Sequence, residues 1–168
     1  MAGLINELID VLTEEISCYE ELLKISKGKT DIIVEGDVVS LQNLTSHEQE
    51  IVGKTIKLEK KREEIIEDIA LVLNENKDTL TISKLLDKLK DTVQESKKLR
   101  EIQQKIQALI SELKRVNDQN RILLNQSIEM IDYTINAIQS KYSYTTNDYS
   151  QRGQVQDLEG KSFFDAKQ

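Results

Sequence analysis

The sequence predicts an all-α protein, an elongated antiparallel helical bundle or coiled coil with a flexible C-terminal tail. Its 168 residues include no proline and only six glycines, so few positions interrupt a helix. Apolar residues recur at spacings of three and four, which places them on one face of a helix. Tryptophan is absent and phenylalanine occurs only at Phe163 and Phe164. We therefore expect aliphatic seams between helices rather than a thick aromatic core.

The first helix is predicted from about Leu4 to Val34. Gly28 lies inside its pattern and is a weak point, suited to a kink or a frayed end. A clearer break follows at Gly36 and Asp37, because glycine suits a helix C-cap and aspartate suits an N-cap. The apolar stripe of this helix consists of Ile5, Leu8, Leu12, Ile16, Tyr19 and Leu23.

A second helix is predicted from about Val38 to Leu73, with a heptad-like register of apolar residues. Three polar residues, Glu48, Thr55 and Arg62, fall on the same register. Either they are seam positions that specify pairing, or the stripe drifts around them, and the sequence leaves both open. The apolar members are Leu41, Leu44, Ile51, Leu58, Ile65, Ile69 and Val72.

A polar connection, Asn74 to Thr79, separates this helix from a short one. Thr81 has the side chain of an N-cap, and the apolar residues that follow it have helical spacing. Whether the short helix merges with the next one stays open. Its apolar residues are Ile82, Leu85, Leu86 and Leu89.

The longest helix is predicted from about Thr92 to Tyr142. Its first half alternates apolar residues at three and four, the pattern of a coiled-coil seam. Continued strictly, this alternation would place the next seam residue at Asn120. The apolar residues instead resume four positions later, at Leu124. This extra step is a stutter, which locally relaxes a supercoil. The seam comprises Leu99, Ile102, Ile106, Leu109, Leu113 and Val116, and beyond the stutter Leu124, Ile128, Ile131, Ile135 and Ile138.

The character of the chain changes at Ser143, where the apolar stripe ends. We therefore predict a helical bundle domain over residues 1–142 and a flexible tail over residues 143–168. Aromatic residues are concentrated in the tail or at its edge, where they either contact a partner or act as spacers, and contact is favoured. They are Tyr142, Tyr144, Tyr149, Phe163 and Phe164.

Composition and motifs argue against several functions. The net charge is −7 and basic residues alternate with acidic ones, so the basic stripe that nucleic acid requires is missing. His47 is the only histidine and Cys18 the only cysteine, too few for a zinc site. We interpret His47 as a surface residue and Cys18 as a small helix residue. No phosphate-binding glycine loop is present. An enzyme, a cofactor and a bound metal are therefore not expected.

The sequence also argues against membrane insertion. The longest apolar run, Ile69 to Leu73, is far shorter than the roughly 20 residues that span a bilayer. The first residues carry no signal-peptide pattern, and a single cysteine fits a reducing compartment. We therefore expect a cytoplasmic protein. The remaining role for its amphipathic helices is the binding of other proteins.

Five segments spread along the chain have a recognisable pattern. The first runs from Leu4 to Leu23, and the second, Ile33 to Asp37, is followed by leucines. The third, Glu48 to Arg62, ends in Leu-Glu-Lys-Lys-Arg. The others are the Asn-rich segment Asn117 to Arg121, before Leu123 and Leu124, and the ending Phe163 to Lys167. In these segments, and over most of its length, the chain resembles the FlgN family of flagellar export chaperones.

The resemblance implies a helical bundle that binds hook-associated flagellar proteins through their terminal helical segments. Such a chaperone keeps its clients unassembled and delivers them to the flagellar type III export apparatus. In this family the C-terminal segment captures the client, which here corresponds to Asn117 onward. The expected partner-binding residues are Asn117, Asn120, Leu124, Ile128, Ile131, Ile135, Tyr144, Tyr149, Phe163 and Phe164.

Two points stay open at this stage. The apolar residues from Leu124 to Ile135 are either a client-binding stripe or part of the intramolecular core. The protein is also compatible with a structural coiled-coil scaffold or a self-associating adaptor, and a homodimer fits either function. Capture of a client distinguishes a chaperone from a scaffold, which would form only stable homo-oligomers.

Overall fold

A computed structural model describes residues 2–89 and 94–145, with side chains for residues 3–89 and 94–140. These residues form four helices and no strand, which confirms the all-α prediction. Whether the third helix merges with the fourth stays open, because it depends on residues 90–93, which lie outside the described ranges. The helices are α1 (Ala2–Glu35), α2 (Val38–Leu73), α3 (Ile82–Leu89) and α4 (Gln94–Thr145).

The turn between α1 and α2 has the caps that the sequence predicts. Gly36 has φ of +73°, a conformation that costs glycine little. The Asp37 carboxylate accepts a hydrogen bond of 3.0 Å from the amide of Ser40, as an N-cap does. Gly28 does not interrupt α1, which continues to Glu35.

The segment between α2 and α3 is also held by capping interactions. Asn74 has a left-handed conformation at the C-terminus of α2, and its amide donates to the Leu71 carbonyl. Thr81 caps α3, because its hydroxyl accepts from the amide of Lys84 at 3.3 Å and its carbonyl accepts from Leu85. This confirms the predicted N-cap.

The chain divides into two compact units, Met1–Leu124 and Asn125–Gln168. In the first unit α1 and α2 are antiparallel, as the ion pairs Lys29–Glu48 and Glu15–Arg62 show. The part of α4 in this unit runs parallel to α1, because Lys105 pairs with Glu20 and Asn120 bonds to Thr30. The three long helices therefore alternate in direction.

Helix α1 is buried more broadly than its predicted stripe. Ile5, Leu8, Leu12 and Ile16 are buried as predicted, and Tyr19 and Leu23 are half-buried. A helix that packs on two neighbours must cover a wider arc than one that forms a single seam, and α1 faces both α2 and α4. The additional buried residues of α1 are Ile9, Val11, Glu15, Leu22, Ile25, Ser26 and Ile33.

The polar residues on the α2 register lie in the seam with α1. Thr55 is buried, Glu48 pairs with Lys29 and Arg62 pairs with Glu15. The stripe departs from the register only near its end, where Val72 is exposed and Ala70, which is off the register, is buried. A straight α-helix drifts by about 20° per heptad from a 3.5-residue repeat, so a strict register fails after several heptads. The prediction that Val72 belongs to the seam is wrong for this reason.

Candidate partner-binding surfaces

The second unit carries an exposed apolar stripe. Its described part is a single helix, the end of α4. We define the isoleucine stripe as the four residues of this helix that follow one another at three, four and three positions and so share a face. No other element of the described part of this unit covers them, and they are 41–57% exposed. They are Ile128, Ile131, Ile135 and Ile138.

Two further apolar side chains of the same helix lie off the stripe. Met130 and Tyr133 are 72% and 76% exposed. They are three positions apart, so they share a different face. This pair is more exposed than the stripe and has a similar place in the chain, so it offers a stringent control for substitutions in the stripe.

The first unit places the remaining predicted α4 residues differently. Leu124, its last residue, is exposed. Asn120 is only 7% exposed, and its Nδ2 donates to the Ser26 carbonyl at 2.7 Å. Its Oδ1 accepts from the Thr30 hydroxyl at 2.6 Å. Asn117 is exposed, and its Oδ1 accepts from the Ser26 hydroxyl at 2.9 Å.

These hydrogen bonds assign the two asparagines to the α1–α4 seam. A buried asparagine whose oxygen and nitrogen are both bonded fixes the register of two helices, because a shift would leave buried polar atoms without partners. Asn120 therefore positions α4 in the free chain, and the expected contacts of Asn117 and Asn120 with a partner stay predictions. The strict heptad register predicts the location of Asn120 in the seam.

The predicted aromatic contacts lie at or beyond the limits of the described residues. Tyr144 belongs to α4, but its side chain is outside the described set. Tyr149, Phe163 and Phe164 lie outside the described residues altogether. Their proposed role in binding rests on the sequence alone.

A buried ion pair in the first unit was not predicted. The Glu15 side chain is almost fully buried, and its Oε1 accepts from Arg62 Nε at 2.9 Å. Burial raises the pKa of Glu15, and Arg62 opposes this effect. Burial, followed by the charges of Glu15 and Glu59, also raises the pKa of Tyr19 to about 12. The position of Arg62 on the α2 register was the one available signal.

The ion pair borders a groove of about 400 Å³ between the helices. Its walls combine aliphatic and polar side chains, and Gln103 and Gln107 contribute amides. Of the residues considered for catalysis, His47 is exposed and lies 2.9 Å from Glu21, and Cys18 is half-buried. Among the described residues no group of histidine, cysteine and acidic side chains has the arrangement of a metal site.

Within residues 2–89 and 94–145, no helix is both long enough and apolar enough to cross a membrane.

Comparison with known proteins identifies one family. A family model described as FlgN protein matches residues 1–157. The match covers all four described helices, the isoleucine stripe and the first part of the predicted tail. No curated protein and no solved structure matches the chain.

Proposed function

Because the chain belongs to the FlgN family of flagellar export chaperones, we propose that its clients are hook-associated proteins, which form the hook–filament junction. It binds their terminal helical segments in the cytoplasm and keeps them from assembling. It then delivers them to the flagellar type III export apparatus.

The exposed isoleucine stripe carries this proposal. An amphipathic client helix recognises a partner through residues at i, i+3, i+4 and i+7, and the stripe has the same periodicity. Covering such a stripe removes apolar surface from water, which contributes about 25 cal/mol for each Å². A client helix that would otherwise self-assemble loses its apolar face to the chaperone in the same step.

The charges of the helix that carries the stripe restrict the client further, and Asp132, four positions after Ile128 and three before Ile135, lies beside the stripe. Residues 125–140 contain Glu129 and Asp132 and no lysine or arginine, and both acids are exposed. Like charges across an interface disfavour association, and opposite charges favour it. The segment that binds here is therefore apolar on one face and neutral or basic along its edges.

We propose that residues 143–168 form an arm that adds aromatic contacts to the client, next to the helical domain of residues 1–142. Aromatic side chains bury a large surface at a small cost in side-chain entropy. Deleting Ser143–Gln168 should lower client affinity by about tenfold and leave the helical signal and the melting temperature nearly unchanged. Titration calorimetry and thermal melting of the full-length protein and the deletion variant measure both quantities. A variant with serine at Tyr144, Tyr149, Phe163 and Phe164 should reproduce most of the loss.

Unchanged affinity in the deletion variant would show that the arm is a spacer. Binding would then depend on the helices alone. A lower melting temperature would show instead that the arm belongs to the folded domain.

The function itself is tested by co-expression with hook-associated proteins. We expect each true client to co-purify with the chain as a defined complex and to remain soluble, whereas a client expressed alone aggregates or polymerises. Sedimentation velocity gives the stoichiometry. A stable homo-oligomer that captures no hook-associated protein would favour the structural coiled-coil scaffold and contradict the chaperone proposal.

A further inference from the structure

The turn between α1 and α2 exposes apolar side chains that the core does not use. Three valines within six residues are 63–70% exposed: Val34, Val38 and Val39. Their neighbour Ile33, in contrast, is buried. Single exposed apolar residues are ordinary on a protein surface, but several together mark an interaction site.

The same turn is strongly acidic. No lysine or arginine occurs between Lys29 and Lys54, and the ammonium group of Lys29 pairs with Glu48. Asp31 and Glu35, both exposed, make no ion pair with any described residue. On α4 the nearby Arg121 pairs with its own neighbour, Asp118. The carboxylates at the turn are therefore not neutralised within the described first unit.

The backbone of the turn is held in one conformation. Amides of Gly36 and Asp37 donate to carbonyls of the last turn of α1, each at 3.2 Å. Asp37 accepts from both the amide and the hydroxyl of Ser40, and these bonds lower the pKa of its carboxyl, which stays ionised. A surface that is ordered before binding loses less entropy on association.

From this combination we infer a second interaction surface, distinct from the isoleucine stripe, which docks a protein surface with an apolar centre ringed by lysine or arginine. The turn patch, as we define it, consists of Asp31, Val34, Glu35, Asp37, Val38 and Val39. The valines contact the apolar centre of the partner, and the carboxylates face its cations. Opposite charges speed association and orient the partner.

Charge also distinguishes this partner from a second copy of the chain. A two-fold contact brings the same patch of both subunits together, so the carboxylates of one turn would face those of the other. Such like-charge contacts cost free energy. The turn patch is therefore complementary to a basic surface and not to itself.

Binding can be tested with a short amphipathic helical peptide built from leucine and lysine. Two matched peptides serve as controls, one with glutamate in place of lysine and one with serine in place of leucine. In methyl NMR spectra of the full chain we expect the leucine–lysine peptide to shift the signals of Val34, Val38 and Val39. Salt should weaken this binding, and neither control peptide should shift these signals.

Two variants separate the apolar and electrostatic contributions. Val34→Ser with Val38→Ser and Val39→Ser, and separately Asp31→Lys with Glu35→Lys, should each weaken peptide binding about tenfold, which corresponds to 1.4 kcal/mol. All five residues are exposed, so the fold should persist. The matched controls are Leu71→Ser with Val72→Ser, and Glu63→Lys with Glu64→Lys. These controls change exposed residues elsewhere on α2 and should bind the peptide normally.

Several outcomes would overturn the inference. If the peptide with glutamate in place of lysine bound equally well, charge would not contribute to recognition. If the valine variant bound the leucine–lysine peptide with full affinity, the valines would not contribute. A dimer that dissociates in the valine variant would identify a second copy as the occupant. If deleting residues 143–168 shifted the NMR signals of these valines, the occupant of the turn patch would be the chain's own tail. The inference does not depend on the proposed clients, because the valine variant should still bind them through the isoleucine stripe.

Discussion

Replacing Ile131 and Ile135 together by serine is expected to lower the affinity for a hook-associated client by roughly 30-fold to 100-fold. Each isoleucine is about half exposed in the free chain, so a client can still cover the remaining half of its surface. That surface contributes about 1 kcal/mol per residue, and burying a serine hydroxyl without a partner adds a further cost. Titration calorimetry of the variant against one purified client measures the change.

The matched control replaces Met130 and Tyr133 by serine. This substitution removes more exposed apolar surface than the substitution of the isoleucine pair. It also places two serines in α4, so both variants should have a similar effect of helix propensity on stability. Client affinity should change by less than about threefold. Equal losses of client affinity in both variants would mean that the client does not bind specifically to the isoleucine stripe. If both variants kept their affinity, the client would have to bind at other residues.

Replacing Arg62 by methionine is expected to destabilise the first unit by about 3 kcal/mol at pH 7. Glu15 would keep its buried position and lose Arg62, the one cation that bonds to it among the described residues. Removing one partner of a buried ion pair lowers the free energy of unfolding far more than replacing both partners by apolar residues. Urea unfolding followed by circular dichroism measures the difference. Lys61→Met removes an exposed cation one residue earlier and should have little effect.

The stability lost in Arg62→Met should increase with pH. Burial raises the pKa of Glu15, so folding favours its protonated form. The stability that this group contributes is fully present below its ordinary pKa of 4.5 and is lost as the pH rises through the raised value. Without Arg62 the pKa rises further, because a lowering influence is removed. The penalty of Arg62→Met should therefore be smaller at pH 5 than at pH 7.

The double variant with Glu15→Gln and Arg62→Met provides the control for this explanation. Neutralising the carboxyl should recover most of the lost stability at pH 7 and abolish the pH dependence of the difference. If the double variant were as unstable as Arg62→Met alone, lost packing of the arginine stem would explain the effect instead of charge.

Local sequence signals predicted the helices well. The caps at Asp37 and Thr81 depend on side chains that bond to backbone one turn away, so neighbouring residues alone determine them. The observed bounds of α2, Val38–Leu73, are therefore those predicted. The heptad register also included Asn120, since it counts positions rather than polarity, but it left open whether Arg62 lies in a seam.

The interactions of α1 could not be predicted in the same way. Glu15 follows another glutamate and resembles a residue of a solvated face, and only the fold brings Arg62 beside it. Ile9 and Val11 lie off the predicted stripe because the periodicity was assigned to a single seam. Likewise, the valines beside Gly36 belong to no seam, and only the structure shows that they are exposed.

The alternating directions of the three long helices have a consequence for the order of folding. Contacts between α1 and α2 begin close in sequence, with Lys29 and Glu48 only 19 residues apart, and extend to Glu15 and Arg62, 47 residues apart. The bonds from α1 to Asn120 close loops of 90 and 94 residues. Closing a short loop costs less entropy and takes less time. The α1–α2 hairpin can therefore form while α4 is still being synthesised, and α4 docks onto a surface that is already in place.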